Sequence, residues 1–253
     1  MSSRHQARAA VEAGRVTVDG APALKPARLV APHEAVVMAG EPPRFVSRAG
    51  EKLAGALDRF AVVVDDVRAL DAGASTGGFT DCLLQRGAAR VVAVDVGYGQ
   101  LHERIRADPR VEVHERLNVR DLGPGDLGDP FAVVVADLSF ISLRTVLPNL
   151  VSMAAPGADL VTLVKPQFEA GRAEASRGRG VIRDPEVWLR TLEDVACAAR
   201  DLGAAIMGAM VSPITGTEGN VEFLLHARTA PGADVAAPDL SAVVAEAAAS
   251  VES

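Results

Sequence analysis

The segment LDAGASTGGFT, residues 70–80, constrains the fold more than any other stretch of the chain. VRALD (67–71) has the apolar character of a strand and ends in Asp71. Gly73, Gly77 and Gly78 follow before a helix opens over 78–86. Glycine serves where backbone must turn with positive φ or approach a ligand closely. The helix N-terminus beyond such a turn offers free N–H groups to a carboxylate or phosphate. The spacing G-x-x-x-G-G is not the G-x-G-x-x-G of dinucleotide binders. It is not a P-loop either, because no Gly-Lys-Ser/Thr follows.

The same alternation continues downstream. ARVVAVDV (89–96) reads as the next strand and VEVHE (111–115) as a short one. FAVVVADLSF (131–140) and ADLVTLVKP (158–166) contain continuous apolar runs, the mark of strands buried on both faces. Residues 48–60, 142–154 and 185–202 read as helices, the first with Leu53, Ala56, Leu57 and Phe60 at helical spacing. IMGAMV (206–211) and VEFLLHA (221–227) have no long helix between them, which predicts an antiparallel pair. The expected fold class is α/β: a doubly wound, mostly parallel, seven-stranded Rossmann-like sheet with helices on both faces.

At the N-terminus, residues 2–14 read as a helix ending at Gly14. RVTVDG (15–20) is a strand closing on an Asp-Gly turn, and AVVM (35–38) is a second short strand. GEPPRF (40–45) is a Pro-rich break. The expected domains are therefore a small module over 1–41, the α/β domain over 42–230 and a tail over 231–253. That tail is rich in Ala, Pro and Asp, and reads as disordered or as one loose helix near 239–250.

The net charge of −7 is uneven: residues 1–44 carry +2 and the remainder −9. A basic module on an acidic body is compatible with that asymmetry. Two cysteines, Cys82 and Cys197, lie in helical patterns and read as buried thiols. They argue against a disulfide framework or a zinc site and suit a reducing cytoplasm. No apolar run approaches the ~20 residues of a membrane helix, and the first residues lack the apolar core of a secretory signal. The oligomeric state is not legible from the pattern.

Ligands of open α/β sheets bind outside the carboxyl ends of the strands. Asp95 closes the second strand, 24 positions after Asp71, where an acid can take a ribose hydroxyl pair. Asp137 follows FAVVVA and Lys165 follows LVTLV, both at such ends. Neither charge suits a core without a partner. Lys52 lies on the helix before the first strand, and Glu222 in the otherwise apolar NVEFLL. Taken singly, these two also read as solvent-facing residues. Taken together, two lysines and two acids can neutralise one another, and an amine that has lost its proton could accept one from a sugar hydroxyl.

These stretches also carry a resemblance. VSRAGEKLAGAL (46–57), LDAGASTGGFT (70–80), VVAVDVGYGQL (91–101), ADLSFISL (136–143), LVKPQFE (163–169), GVIRDP (180–185) and GNVEFL (219–224) resemble the TlyA group of FtsJ-type RNA ribose 2′-O-methyltransferases, often labelled hemolysins. The resemblance implies S-adenosylmethionine as cofactor, and ribosomal RNA or ribosomal subunits as partner with cytidine ribose as target. It implies a Lys-Asp-Lys-Glu tetrad that falls on Lys52, Asp137, Lys165 and Glu222. Lys165 would be the base or hydroxyl-orienting group, with Lys52 holding it in place and tuning its proton affinity. Asp137 would position Lys165 and the target ribose, and Glu222 would hold the lysines. The cofactor residues implied are Asp71, Gly73, Ala74, Ser75, Thr76, Gly77, Gly78, Phe79, Asp95, Val96, Asn118 and Asp137. Asp95 would bind the cofactor ribose, and Asn118 lies where the adenine is read.

The group also carries an N-terminal S4 RNA-binding domain. Residues 3–39 resemble its second half, and the expected first helix has no counterpart in this sequence. GRAEASRGRG (171–180), with Arg172, Arg177, Arg179 and nearby Arg183, reads as an RNA-contacting lid or a solvated loop. The shortened module and acidic charge leave open a same-fold O-methyltransferase acting on a small hydroxylated metabolite. The hemolysin label suggests a membrane-active protein, for which the sequence has neither a spanning segment nor a cationic amphipathic helix.

Overall fold

The computed structural model describes residues 4–40, 43–171, 174, 180–230 and 237–252. Arg172, Arg177 and Arg179 lie outside the described residues, and Arg183 is exposed. The chain divides by its internal contacts into units 1–46 and 47–253.

The first unit holds α1 (Arg4–Glu12) and three short strands, β1 (Val16–Val18), β2 (Ala21–Pro22) and β3 (Val36–Met38). They form an antiparallel sheet in the order β2-β1-β3. Asp19 and Gly20 join β1 to β2 with φ of 49° and 81°. Positive φ at both central residues is what a two-residue hairpin turn needs, and Asp-Gly supplies it. Ala10, Val16, Val18 and Ala23 form this unit's own small core.

The second unit runs α2 (Ala49–Phe60), β4 (Arg68–Ala72), α3 (Gly78–Gln85), β5 (Arg90–Asp95), α4 (Glu103–Arg106), β6 (Val111–Glu115), β7 (Phe131–Ala136), α5 (Leu143–Met153), β8 (Ala154–Val164), α6 (Pro166–Glu169), α7 (Pro185–Asp201), β9 (Ala204–Val211), β10 (Phe223–Thr229) and α8 (Leu240–Glu252). Its seven strands form one sheet in the order β6-β5-β4-β7-β8-β10-β9. The first five pair in parallel. β10 is antiparallel to both β8 and β9. The expected antiparallel pair is present, and β10 is inserted between β8 and β9 instead of closing the sheet's edge. β4 is third in that order, with β5 on one side and β7 on the other, so the winding reverses there and leaves a crevice at the strand ends.

Alternate strand residues face opposite sides. Leu70, Ala72, Val134, Ala136, Phe223 and Leu225 pack with α5, α7 and α8 in one cluster. The other face is covered by α2 and α3. The helices begin where local chemistry lets them. Ser142 caps α5 by accepting from Arg144 N, and Asp184 caps α7 by accepting from Glu186 N, with Pro185 in the first turn.

One expectation, a pair of buried thiols, needs correction. Residues 240–252 form a packed helix: Leu240, Val244 and Ala247 are buried in the main cluster. Their spacing of four and three puts them on one helical face, which docks on α7 and β9. Cys197 is exposed on α7, and only Cys82 is a buried thiol. A helical pattern assigns a face only when the helix's neighbours are known.

Candidate active site

The carboxyl ends of β4, β5 and β7 enclose a cleft of about 500 Å³. Gly73, Ser75, Asp95, Val96, Asn118 and Asp137 line it, together with Leu138 and Ile141. Of the residues expected at the cofactor, Asp71, Ala74, Thr76, Gly77, Gly78 and Phe79 are not among its lining. Phe79 and Ala74 are buried, and Gly77 and Gly78 instead shape the turn. Gly77 caps α3 with φ of 92°. A Cβ at Gly78 would lie 2.2 Å from Ser47 Oγ, so only glycine lets α3 start against the segment before α2.

Asp71 points away from the cleft. Period-two alternation turns it toward α3, where Thr80 Oγ1 donates to its Oδ2 at 2.6 Å. It is fully buried and its other oxygen has no donor. Burial pushes its pKa up to about 7, opposed by the Thr80 hydrogen bond and reinforced by the charges of Asp137 and Asp95. It sits at the root of the glycine turn, bonded to Thr80.

Asp95 organises the turn from the next strand. Its Oδ2 accepts from Ser75 N at 2.8 Å and its Oδ1 from Gly97 N at 2.6 Å. The carboxylate is thereby fixed at the cleft wall, with further lone pairs for hydroxyl donors. Asn118 accepts from Arg120 N and caps a short turn beside it. Val96, Val119, Leu138 and Ile141 supply apolar walls. An apolar slot with a fixed carboxylate to accept from adjacent ribose hydroxyls and a side-chain amide beside it suits a nucleoside, and so fits S-adenosylmethionine.

Asp137 is the joint between this cleft and the second group of charges. Its N–H bonds to Ala72 O at 3.1 Å, continuing the β4–β7 ladder past the strand end. Its Oδ1 lies 2.5 Å from Lys165 Nζ, and Lys165 also donates to Ser139 Oγ at 3.0 Å. Lys52 Nζ lies 2.5 Å from Glu222 Oε2. Lys52, Lys165 and Glu222 are all buried, so each buried charge here has a partner. The two pairs are built separately: Lys52 bonds Glu222, and Lys165 bonds Asp137 and Ser139.

The topology brings the pairs to one edge. Because β10 runs antiparallel beside β8, Phe223 lies opposite Val164. The residue before β10, Glu222, therefore sits next to the residue after β8, Lys165. Ser139 and Glu169 were not singled out from sequence. Ser139 follows Asp137 by two positions in ADLSF, but a serine beside a strand end carries no signal of its own until the strand order is known.

Comparisons with known proteins identify the family. The FtsJ-like methyltransferase family matches residues 45–229, and the S4 domain family matches residues 1–36. The chain is 52% identical over 228 residues to the Mycobacterium tuberculosis 16S/23S rRNA (cytidine-2′-O)-methyltransferase TlyA, covering 90% of this chain and 85% of that protein. It is 39% identical to Hemolysin A of Brachyspira hyodysenteriae over 225 residues, covering 88% and 93% of the two chains. A solved Streptococcus thermophilus protein described as a hemolysin superposes with a TM-score of 0.81 at 39% identity, covering 100% of this chain and 92% of that one.

Proposed function

The chain belongs to the FtsJ-like methyltransferase family, and on that premise we propose that it methylates the ribose 2′-hydroxyl of cytidine in ribosomal RNA. The observation that carries this reading is the Lys165–Asp137 pair at the end of the cleft, with Asp137 belonging to both. When bound, S-adenosylmethionine supplies a methyl group on a sulfonium leaving group. The cleft residues Asp95, Asn118, Leu138 and Ile141 would hold it.

The protein's own tasks are then to place a hydroxyl oxygen in line and to take up its proton. Alignment is the larger of the two effects, because an activated leaving group leaves little bond-making work for a base. Lys165 Nζ, held by Asp137 and Ser139, is the group that orients the hydroxyl, and after its ammonium has released a proton to solvent the free amine takes up the hydroxyl proton. Asp137 fixes Lys165 and faces the cleft. Lys52 and Glu222 neutralise each other beside them and keep the site's net charge balanced. The S4 match over residues 1–36 supports an RNA substrate, and a ribosomal substrate supports a cytoplasmic location. Among the described residues, no helix is long and apolar enough to cross a membrane.

The test is transfer of tritiated methyl groups to unmodified ribosomal subunits, with binding of S-adenosylhomocysteine measured alongside. Wild-type protein should label rRNA at ribose. Lys165→Ala should lose about a hundredfold in rate or more, the scale of a lost general base, while still binding the nucleoside. No label on either subunit would overturn the reading, and label on a small hydroxylated metabolite alone would replace it.

A further inference from the structure

Two short segments carry the groups around Lys165. One runs from Asp137 through Ser139 to Ser142 at the start of α5. The other is α6, which follows Lys165 directly and ends in Glu169. They meet at three levels. At one end Lys165 bonds Asp137 and Ser139. In the middle the rings of Phe140 and Phe168 lie 5.2 Å apart. At the far end Glu169 Oε2 accepts from Ser142 Oγ at 2.6 Å, and its Oε1 accepts from Leu143 N at 2.7 Å.

Glu169 is buried, and the groups facing it are ones that hold a carboxylate still. The N-terminal N–H of α5 points at it, where a helix favours negative charge. Arg144 Nε lies 3.6 Å from its Oε2, and Arg144 also donates to the Glu169 carbonyl at 3.2 Å. Asp194 on α7 engages the same guanidinium at 3.2 Å. Burial raises the Glu169 pKa, against the hydrogen bonds from Ser142 and Leu143. The segment it secures contains Phe140 at φ of +64°, a conformation that a bulky residue holds only when its surroundings impose it. Glu169 does not line the cleft.

We propose that Glu169 is a positioning residue for methyl transfer: its carboxylate locks the segment bearing Lys165 to the segment bearing Asp137 and Ser139, and so sets the Lys165–Asp137 geometry. This inference rests on the reading of Lys165 given above. Side chains at two ends of a short ladder share one register, so freeing the Glu169 end lets the Lys165 end shift. A shift approaching 1 Å is enough to lower a rate by about a hundredfold.

The experiment compares Glu169→Ala, Glu169→Gln and Ser142→Ala with wild type and with Lys165→Ala, on ribosomal subunits across pH. Glu169→Ala should lower kcat at least about tenfold, with affinity for S-adenosylhomocysteine within about threefold of wild type. It should also displace the pH midpoint of kcat by about half a unit or more, because the charged groups around the reacting hydroxyl would no longer hold their wild-type separations. Glu169→Gln keeps an acceptor for the Leu143 N–H and should restore most of the rate and the wild-type midpoint. Ser142→Ala should move both in the direction of Glu169→Ala, by less. A role confined to stability would lower activity equally at every pH and leave the midpoint in place.

Superimposable normalised pH profiles for wild type, Glu169→Ala and Ser142→Ala would overturn the proposal. If Glu169→Ala does not melt cooperatively, an unchanged kcat and midpoint in Ser142→Ala overturns it instead. Full activity in Lys165→Ala would remove the underlying reading of the site. A dead Lys165→Ala beside unshifted Glu169 and Ser142 variants would remove this inference alone.

Discussion

Replacing Gly73 by alanine tests how closely the cofactor turn and the Lys165 site are joined. Gly73 has φ of +86°, and an L-residue held there costs about 1–2 kcal/mol. Its added Cβ would lie 2.6 Å from the Asp137 carbonyl oxygen and 2.9 Å from Leu138 Cδ2. The leucine methyl can swing away, but the carbonyl is backbone. Its residue is pinned through its own N–H to Ala72 O at 3.1 Å. Relief to ordinary contact at 3.4 Å requires a retreat of about 0.8 Å. Asp137 would carry that displacement to a carboxylate 2.5 Å from Lys165. We expect Gly73→Ala to lose about 1–3 kcal/mol of stability in urea and ten- to about a hundredfold in transfer to ribosomal subunits. Affinity for S-adenosylhomocysteine should weaken about tenfold, since the cleft wall itself moves. Gly203→Ala is the control: its φ is +81°, but nothing lies within 4 Å of the new Cβ. It should show the backbone cost alone, with transfer unchanged. A Gly73→Ala protein that transfers at the wild-type rate would refute the coupling between turn and site.

Three further outcomes follow from buried groups. Asp71 has a folded-state pKa near 7, raised mainly by burial from an ordinary 3.8. An acid raised in this way lets the folded state hold the proton longer, so its contribution to stability falls between about pH 4 and pH 7 and is constant above. The span is about 4 kcal/mol; chemical denaturation at pH 5 and pH 8 should show a steeper loss for wild type than for Asp71→Asn, and parallel slopes would contradict it. Asn220 donates to Gly180 O at 2.8 Å and accepts from Ile182 N at 3.0 Å, so Asn220→Ala should cost about 1–3 kcal/mol, read from the denaturation midpoint. Val244 on α8 is buried in the main cluster, so Val244→Asp should cost about 2–4 kcal/mol. A change under about 0.5 kcal/mol would return residues 240–252 to the status of a loose tail.

The strand ends were legible because they depend on local signals. Apolar runs stop at Asp71, Asp95, Asp137 and Lys165, and in a wound sheet those stops share one edge. The Asp19–Gly20 hairpin and the Asp184–Pro185 helix start were equally local, set by the dihedral angles and caps those residues allow. Asp71 shows the limit. Its position beside the glycine turn suggested a ligand contact, and strand alternation turns it toward Thr80 on the other face.

What the amino-acid sequence by itself determined is the kit: strands buried on both faces, a glycine turn, charges at strand ends and an acidic body behind a basic first segment. Tertiary structure decided which charges meet. Lys52 and Glu222 lie 170 positions apart, and no periodicity links them. They pair because α2 packs against β10, and the antiparallel entry of β10 beside β8 puts Glu222 at the edge where Lys165 leaves the sheet. Tertiary packing also decided that Glu169 is buried against Ser142 and that residues 240–252 are part of the core. Turns and periods are properties of neighbours in the chain. Strand order is set by the packing of the whole sheet, and the site's ion pairs inherit it.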